Sequence, residues 1–284
     1  MLTVLKGIYR FCRDHVKILF YNLSGKKPWS RGYEEYKRHA IIRLCADQEF
    51  LSTFARNAPL PASYGFKMDE RMVEYPWVLS RLSSKQGGML LDAGSVLNFD
   101  FLLSNPILKD RTIYIYNLAP ETVVNRSNIS YIYGDLRSMI FKDEQFDEIV
   151  CVSTLEHVGM DNTFLYSSDE KLKESAPQDF LKVIGEFKRT LKAGGKLLIT
   201  VPFGVYAHMG WLQQFDLNMV NSVVQTFKGT NAKVIYYQYS AFSWQISTAD
   251  QCAHCRYFDI HKIKKLDPDH AAAARAIACI ELTK

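Results

Sequence analysis

Titratable side chains that follow two predicted strands could carry out proton transfer. Glu156 and His157 come directly after the apolar run 146–154, and His208 lies in the loop after the run 196–201. Open α/β sheets bind ligands outside the carboxyl ends of their strands. Histidine titrates near neutrality, so either imidazole could take a proton from a hydroxyl group. His157, beside Glu156, and His208 are therefore rival catalytic candidates, and a structural or ligand-side role for His157 stays open.

A second candidate is the segment 88–95, Gly-Met-Leu-Leu-Asp-Ala-Gly-Ser. A short apolar run that ends in an acid, a small residue and a glycine predicts a buried parallel strand opening into a tight turn. Gly94 has no Cβ, so the backbone can approach a ligand there. Asp92 could accept a hydrogen bond from an ammonium group or an adjacent amide. The pattern predicts a nucleotide-like ligand at this turn.

The elements that must position these residues alternate between strands and helices. Further strands are predicted over 112–117, 129–135, 146–154, 196–201, 233–237 and 276–282. Helices are predicted over 33–55, 67–82, 178–191 and 213–227, with a loop over 57–63. Strands separated by helical or polar stretches predict an α/β protein with a mostly parallel sheet. The helix over 67–82 could be purely structural, with Asp69 and Glu70 favouring its N-terminus and Trp77 in the core. Alternatively, it would lie against the ligand cleft, with Arg71 or Glu74 directed at it.

Composition narrows the class of protein. The 284 residues, 48% of them apolar, can bury one large core with an appended segment. The six cysteines show no dense disulfide framework, which favours a reducing cytoplasm. Cys252 and Cys255 lack a second ligand pair at zinc spacing, so no metal is expected. No signal peptide and no apolar run of membrane-spanning length is visible, which predicts a soluble or peripheral protein.

The positive charge is concentrated at the start of the chain. Residues 1–43 contain ten lysines or arginines against Asp14, Glu34 and Glu35, a balance of +7 within a total of +5. Over 1–24, apolar residues recur at helical spacing with basic residues between them. Such a helix could lie on an anionic membrane or bind a polyanion, or it could dock on its own domain or a partner subunit. No basic stripe with aromatics lies beyond it, so nucleic acid is not an expected partner.

The motifs together resemble class I S-adenosylmethionine-dependent methyltransferases. They are LLDAGS, IYN, YGDLRS, FDEIVCVSTLEHVG and LKAGGKLLITVPFG, in that order, and the resemblance covers roughly residues 86–284. It implies a Rossmann-like, mostly parallel seven-stranded sheet with an antiparallel last strand and helices on both faces. The predicted domains are an N-terminal helical extension over 1–62 and a methyltransferase domain over 63–284.

The resemblance also implies S-adenosylmethionine as cofactor and a set of residues that bind it. At the second strand the family usually has an acid that holds the ribose hydroxyls, whereas this chain has Asn117, with Glu121 nearby as a substitute. Asp135 and Leu136 match the positions at the adenine. The cofactor-binding residues implied are Asp92, Ala93, Gly94, Ser95, Asn117, Asp135, Leu136, Ser153 and Thr154.

Oxygen is the favoured methyl acceptor. No Asn-Pro-Pro-Tyr turn for exocyclic amines follows the fourth strand, and Cys151 lies within that strand rather than in a Pro-Cys loop. Tyr206, Trp211 and Asp216 could shape an acceptor pocket. A looser similarity, through DERMVEYPW, STLEHVGMDN, GWLQQFD and AIACIELTK, links the chain to methyltransferases of bacterial surface-polysaccharide assembly. It implies a sugar hydroxyl in a glycan or glycan precursor as substrate, handled in the cytoplasm or at the inner face of its membrane.

Three alternatives remain open. Asn117 and the glycine-poor turn are compatible with a protein that binds the cofactor but has little turnover. A methyltransferase acting on a small molecule other than a sugar would share the same motifs. A nicotinamide-dependent oxidoreductase is disfavoured because Gly94 is the only glycine in a turn where a pyrophosphate needs several.

Overall fold

The computed structural model describes residues 2–83, 87–166, 169–259, 261–263, 269 and 271–284. The α-helices in these ranges are α1 (Leu2–Leu23), α2 (Tyr33–Ala46), α3 (Gln48–Ala55), α4 (Arg71–Arg81), α5 (Asp100–Leu103), α6 (Pro106–Lys109), α7 (Phe180–Thr190), α8 (Leu217–Phe227) and α9 (Ala249–Cys252). The strands are β1 (Met89–Ala93), β2 (Thr112–Asn117), β3 (Ile129–Tyr133), β4 (Phe146–Val152), β5 (Leu191–Pro202), β6 (Ala207–His208), β7 (Gln213–Gln214), β8 (Asn231–Ser240), β9 (Ser243–Ser247) and β10 (Ala276–Thr283).

Among the described residues, eight strands form one sheet in the order β3-β2-β1-β4-β5-β10-β8-β9. Strands β1 to β5 are parallel, and β10 runs antiparallel between β5 and β8. This confirms the predicted Rossmann-like, mostly parallel sheet with its antiparallel strand beside the fifth. The predicted count of seven strands was one too low, because the chain turns back after Ser240 and β9 pairs with β8 as an added edge strand.

Side chains alternate between the two sheet faces, and helices cover both. Leu90, Val150 and Leu198 pack with α2, α3 and α4 on one face. Their neighbours Leu91 and Ile149 pack with α7 and α8 on the other. Because both faces are covered, the central strands are largely apolar, which is why the sequence shows apolar runs such as 149–152 and 197–199.

Helix α4 contains a proline and still runs unbroken beside the sheet. Pro76 has no backbone N–H, so it leaves the carbonyl of Met72, four residues earlier, without its helical partner. The hydroxyl of Tyr64 donates a hydrogen bond to that carbonyl instead. The helix therefore keeps its course and carries Glu74 to the carboxyl ends of β4 and β5.

Two predicted helices differ from the structure. The segment 33–55 is two helices, because Asp47 is extended and its carboxylate accepts a hydrogen bond from the Phe50 amide at 3.0 Å, starting a new helix. The segment 213–227 becomes helical only at Leu217, after Asp216 accepts from the Met219 amide at 2.9 Å. Residues 213–214 instead pair with β6 as a short antiparallel ladder.

The N-terminal helices lie against the rest of the chain. Tyr21 of α1 and Tyr33 of α2 belong to the same buried cluster as Trp77 of α4 and Leu90 of β1. No helix among the described residues has the length and hydropathy needed to cross a bilayer. The boundary between domains at 62 and 63 stays a prediction.

Candidate functional site

A cleft with about 740 Å³ of open space lies at the carboxyl ends of the parallel strands. Six of the twelve residues predicted from sequence line it: Gly94, Asn117, Asp135, Leu136, Thr154 and His157. They come from the turns after β1, β2, β3 and β4, which the parallel register brings to one edge of the sheet.

The turn after β1 is held by its own carboxylate. Asp92 is fully buried and accepts hydrogen bonds from the amides of Val96 at 3.2 Å and Leu97 at 2.8 Å. Burial raises the pKa of Asp92 to about 7, although those two amide donors oppose the shift. Asp92 therefore stabilises the turn through these two amides, and it is not among the residues that line the cleft.

Gly94 cannot be replaced by a larger residue in this geometry. Its φ of +106° is a glycine conformation, and a Cβ would lie 2.0 Å from Oγ1 of Thr154. The next residue, Ser95, is also left-handed at φ 63°. Its hydroxyl is buried and has no hydrogen-bond partner among the described residues. A buried polar atom without a partner is costly. Ser95 itself is not among the residues that line the cleft.

Asn117 lies at the end of β2 and is joined to an acid. Its Nδ2 donates to Oε1 of Glu121 at 3.2 Å, and its Oδ1 accepts from the hydroxyl of Tyr166 at 2.9 Å. Glu121, the acid predicted to substitute at the ribose, is thus hydrogen-bonded directly to Asn117. Tyr166 also lines the cleft, a contact that sequence spacing did not reveal.

Asp135, predicted to lie at the adenine, has its carboxylate bound to Arg137. Its carboxylate caps the short 3₁₀ helix Leu136–Ser138 by accepting from the Arg137 amide, and it also binds the Arg137 guanidinium at 2.6 to 3.0 Å. The same guanidinium binds Glu174 at 2.6 Å and Asp179 at 2.8 Å. Arg137 therefore ties three acidic side chains together along this wall of the cleft. Its place directly after the Gly-Asp-Leu turn was the signal available in the sequence.

Ser153 turns away from the cleft. It is left-handed at φ 41°, and its hydroxyl donates to Oε1 of Glu74 at 2.6 Å. Thr154, the next residue, lines the cleft and donates to the Val152 carbonyl at 2.9 Å. Ala93 is fully buried within β1 and is likewise outside the lining.

His157 lines the cleft in a fixed orientation. Its Nδ1 lies 2.9 Å from the carbonyl oxygen of Trp211, and the two rings stack with centroids 5.2 Å apart. A carbonyl can only accept, so the proton of a neutral ring is on Nδ1 and Nε2 carries a lone pair. Burial lowers the pKa of His157 to about 4. The ring therefore stays neutral throughout the physiological range.

Glu156 is buried near the ionisable side chains of Glu74 and Arg71 and does not line the cleft. Its Oε2 has no hydrogen-bond partner among the described residues. Burial raises its pKa well above the usual range, and Glu74 adds to the shift. Arg71 and Glu74 form an ion pair of 2.5 Å in the same region. The structure thus places Glu74 at the strand ends, with Arg71 held to it.

His208 is separate from this arrangement. It lies on the two-residue strand β6, is exposed, and accepts from the Gly210 amide at 3.2 Å. It does not line the cleft. Of the residues predicted to shape an acceptor pocket, Trp211 contacts His157, whereas Asp216 caps α8 and Tyr206 is 45% exposed.

No group of three metal-ligand side chains occurs within the described part of the chain. Cys252 and Cys255 are both buried thiols. They lie at the end of α9, where the Cys255 carbonyl accepts from the amide of Val205 at 2.9 Å. The expectation that no metal is required stays a prediction.

Comparison with known proteins bears on what this cleft is for. Residues 108–199, which span β2 to β5, match a family model described as a methyltransferase domain. This segment, about a third of the chain, is similar to a methyltransferase domain. The matched segment contains Asn117, Asp135, Thr154 and His157 of the cleft. None of the curated proteins is similar in sequence to this chain.

Solved structures with distant sequence similarity include several methyltransferases. A methyltransferase from Thermotoga maritima is 13% identical, with a TM-score of 0.46 over 87% of this chain and 99% of that one. The N-methyltransferase NodS from Bradyrhizobium japonicum, solved with S-adenosylhomocysteine, is 12% identical, with a TM-score of 0.44 over 87% and 97%. YcgJ from Bacillus subtilis is 13% identical, with a TM-score of 0.45 over 74% and 97%.

The residues at the cleft fit S-adenosylmethionine, the cofactor that the sequence resemblance implies. The unpartnered hydroxyl of Ser95 lies in the turn after β1, where the amino-acid end of the cofactor would be held. Asn117, joined to Glu121, offers an acceptor and a charged neighbour to ribose hydroxyls. Leu136, predicted from the resemblance to lie at the adenine, lines the cleft and would offer the ring an apolar surface. These assignments of individual residues remain predictions.

Proposed function

We propose that the protein transfers a methyl group from S-adenosylmethionine to a sugar hydroxyl, in a surface glycan or a glycan precursor. The observation that carries the oxygen acceptor is the orientation of His157. Its Nδ1 proton is committed to the Trp211 carbonyl, so Nε2 is available as a proton acceptor at the cleft. A hydroxyl acceptor must lose a proton as it is methylated, whereas many other acceptors need no such base.

The chain contributes position and a proton acceptor to this reaction. The bound cofactor would supply a methyl group on a sulfonium, open to in-line displacement. Gly94 and Thr154 fix the floor of the cleft beside His157, so donor and acceptor would be held close together. Alignment of this kind can lower a barrier by roughly 7 to 11 kcal/mol. The His157 imidazole would take the hydroxyl proton on Nε2 and later release it to water.

The sugar acceptor is supported by two features. Trp211 stacks on His157 and is only half-buried, so an aromatic surface adjoins the proposed base. Aromatic rings present an apolar face that suits the C–H face of a sugar. The looser similarity to polysaccharide methyltransferases points the same way. We therefore place the substrate on the Trp211 side of His157.

Incubation with S-adenosylmethionine carrying a labelled methyl group, and with panels of glycans, amines and small hydroxy acids, tests the proposal. Alkali-stable label on a sugar oxygen is the expected result. Label on nitrogen or on a small non-sugar acceptor contradicts the sugar hydroxyl. Tight cofactor binding in calorimetry with no transfer to any acceptor instead favours a binding protein without turnover.

His157→Ala and His157→Asn separate the base from its structural surroundings. Loss of the base is expected to lower kcat by roughly 100-fold or more. The KM for the cofactor should stay within a few-fold, because the amino-acid end and adenine are held by other residues. His208→Ala is the matched control and should leave kcat unchanged. If His208→Ala lowers kcat and His157→Ala does not, the two roles are reversed.

A further inference from the structure

Helix α1 docks on the chain through one of its faces. Asp14 and Tyr21, seven residues apart, are buried. Lys17, between them, binds Glu35 of α2 at 2.5 Å. With about 3.6 residues per turn, these positions fall on one side of the helix. The side of α1 that faces α2 is therefore already occupied.

The opposite face of α1 carries an exposed apolar stripe of Val16, Leu19, Phe20 and Leu23. Their side chains are 50%, 57%, 54% and 76% exposed. Their spacing of three, one and three residues places them together, half a turn away from Asp14 and Tyr21. Single exposed apolar residues are ordinary, whereas a contiguous set indicates an interaction surface.

Cations border this stripe. The Arg31 guanidinium lies 5.6 Å from the centre of the Phe20 ring. Arg13 and Lys27 are exposed nearby in the chain. The one acid on this part of α1, Asp14, is buried and bound by Arg13 and Arg38. The stripe thus lies in a segment whose formal charge over residues 1–43 is +7.

We propose that the apolar stripe of α1 docks on an anionic lipid bilayer. Leucine and phenylalanine side chains would enter the boundary between headgroups and acyl chains, and the bordering cations would bind acidic headgroups. A nucleic acid would satisfy the charge but leave the apolar stripe in water. Two copies packed stripe to stripe would bring their cationic borders together, which is unfavourable. The proposal does not depend on which acceptor is methylated.

Sedimentation with phosphatidylcholine vesicles, with and without phosphatidylserine, tests this surface in the full-length protein. Binding is expected only with phosphatidylserine and should weaken as salt is raised. The double variant Leu19→Glu/Leu23→Glu should bind roughly ten-fold less or worse, since two apolar anchors are lost. Lys27→Glu/Arg31→Glu should also lose binding, although all four apolar side chains of the stripe are kept.

Ile140→Glu is the matched control, because Ile140 is also 76% exposed but lies far along the chain, after β3. It should bind vesicles like the unaltered protein. Cofactor binding by calorimetry should be unchanged in all variants, which shows that they fold. The proposal is overturned if no vesicle binds, if the double variant binds normally, or if that variant instead dissociates a dimer seen by ultracentrifugation.

Discussion

Ser153 and Glu74 lie 79 residues apart in the chain, yet the Ser153 hydroxyl donates a hydrogen bond of 2.6 Å to Oε1 of Glu74. The same oxygen accepts from the Thr200 hydroxyl at 2.7 Å. The ends of β4 and β5 are thus tied to α4 through one carboxylate, which is fully buried and also pairs with Arg71. The link fixes the backbone immediately before Thr154, at the floor of the cleft.

Glu74→Ala is expected to destabilise the protein. Removing one partner of a buried network leaves the Arg71 charge and two hydroxyls without their acceptor, at a cost of about 3 to 5 kcal/mol. Urea unfolding followed by circular dichroism measures this. Glu170→Ala, at a side chain that is 83% exposed, should change the free energy of unfolding very little. Equal effects of the two variants would contradict the role given to Glu74.

The pH dependence of stability should contain a contribution from His157. Its pKa is about 4 in the folded state and near its ordinary value when unfolded. The unfolded state therefore binds the proton more readily, so this contribution is present above pH 6.5 and is lost as pH falls towards 4. His157→Asn should flatten the unfolding free energy across that window. A slope that the variant leaves unchanged would assign the dependence to other groups.

The same lowered pKa predicts the pH profile of the reaction. If Nε2 is the proton acceptor, kcat should show no ionisation of His157 between pH 6 and 8, because the ring is already neutral. The rate should fall only as the pH approaches about 4. A profile of kcat against pH at saturating cofactor measures this. A rise in kcat with a midpoint near 6.5 that disappears in His157→Asn would show an ordinary, unshifted histidine.

Arg137→Gln should weaken cofactor binding. The guanidinium holds Asp135, Glu174 and Asp179 together, so its loss leaves three carboxylates repelling one another beside the cleft. We expect a Kd roughly ten-fold higher in calorimetry, equivalent to about 1.4 kcal/mol. Lys182→Gln serves as control, since Lys182 is 65% exposed and also binds Asp179. A similar loss in the control would mean that Asp179 alone accounts for the effect.

Asn117→Asp should tighten cofactor binding only when the charge of Glu121 is removed. The single substitution places two carboxylates about where Nδ2 and Oε1 now lie 3.2 Å apart, so repulsion offsets any gain at the ribose. Asn117→Asp combined with Glu121→Gln should bind the cofactor roughly 3 to 10 times more tightly than Glu121→Gln alone, through charge-assisted hydrogen bonds. A double-mutant cycle by calorimetry gives the coupling. If the effects of the two substitutions on the binding free energy are additive, Asn117 and Glu121 act independently, which contradicts this prediction.

The parallel part of the sheet and the order of its turns could be predicted from the sequence alone. Continuous apolar runs mark strands covered on both faces, and Gly94 marks the tight turn after β1, because both signals are local along the chain. The extra edge strand β9 was missed because Ser243–Ser247 is a short run whose pairing with β8 depends on a neighbour. The break at Asp47 depends on one capping bond within a helical pattern.

Which of the predicted residues face the cleft depends on contacts between segments that are distant in the chain. Ser153 and Thr154 are adjacent, yet one bonds Glu74 and the other lines the cleft. The tautomer of His157 depends on the Trp211 carbonyl, 54 residues later. These choices follow from contacts between distant segments, and residue type and spacing carry no information on which partner a side chain meets.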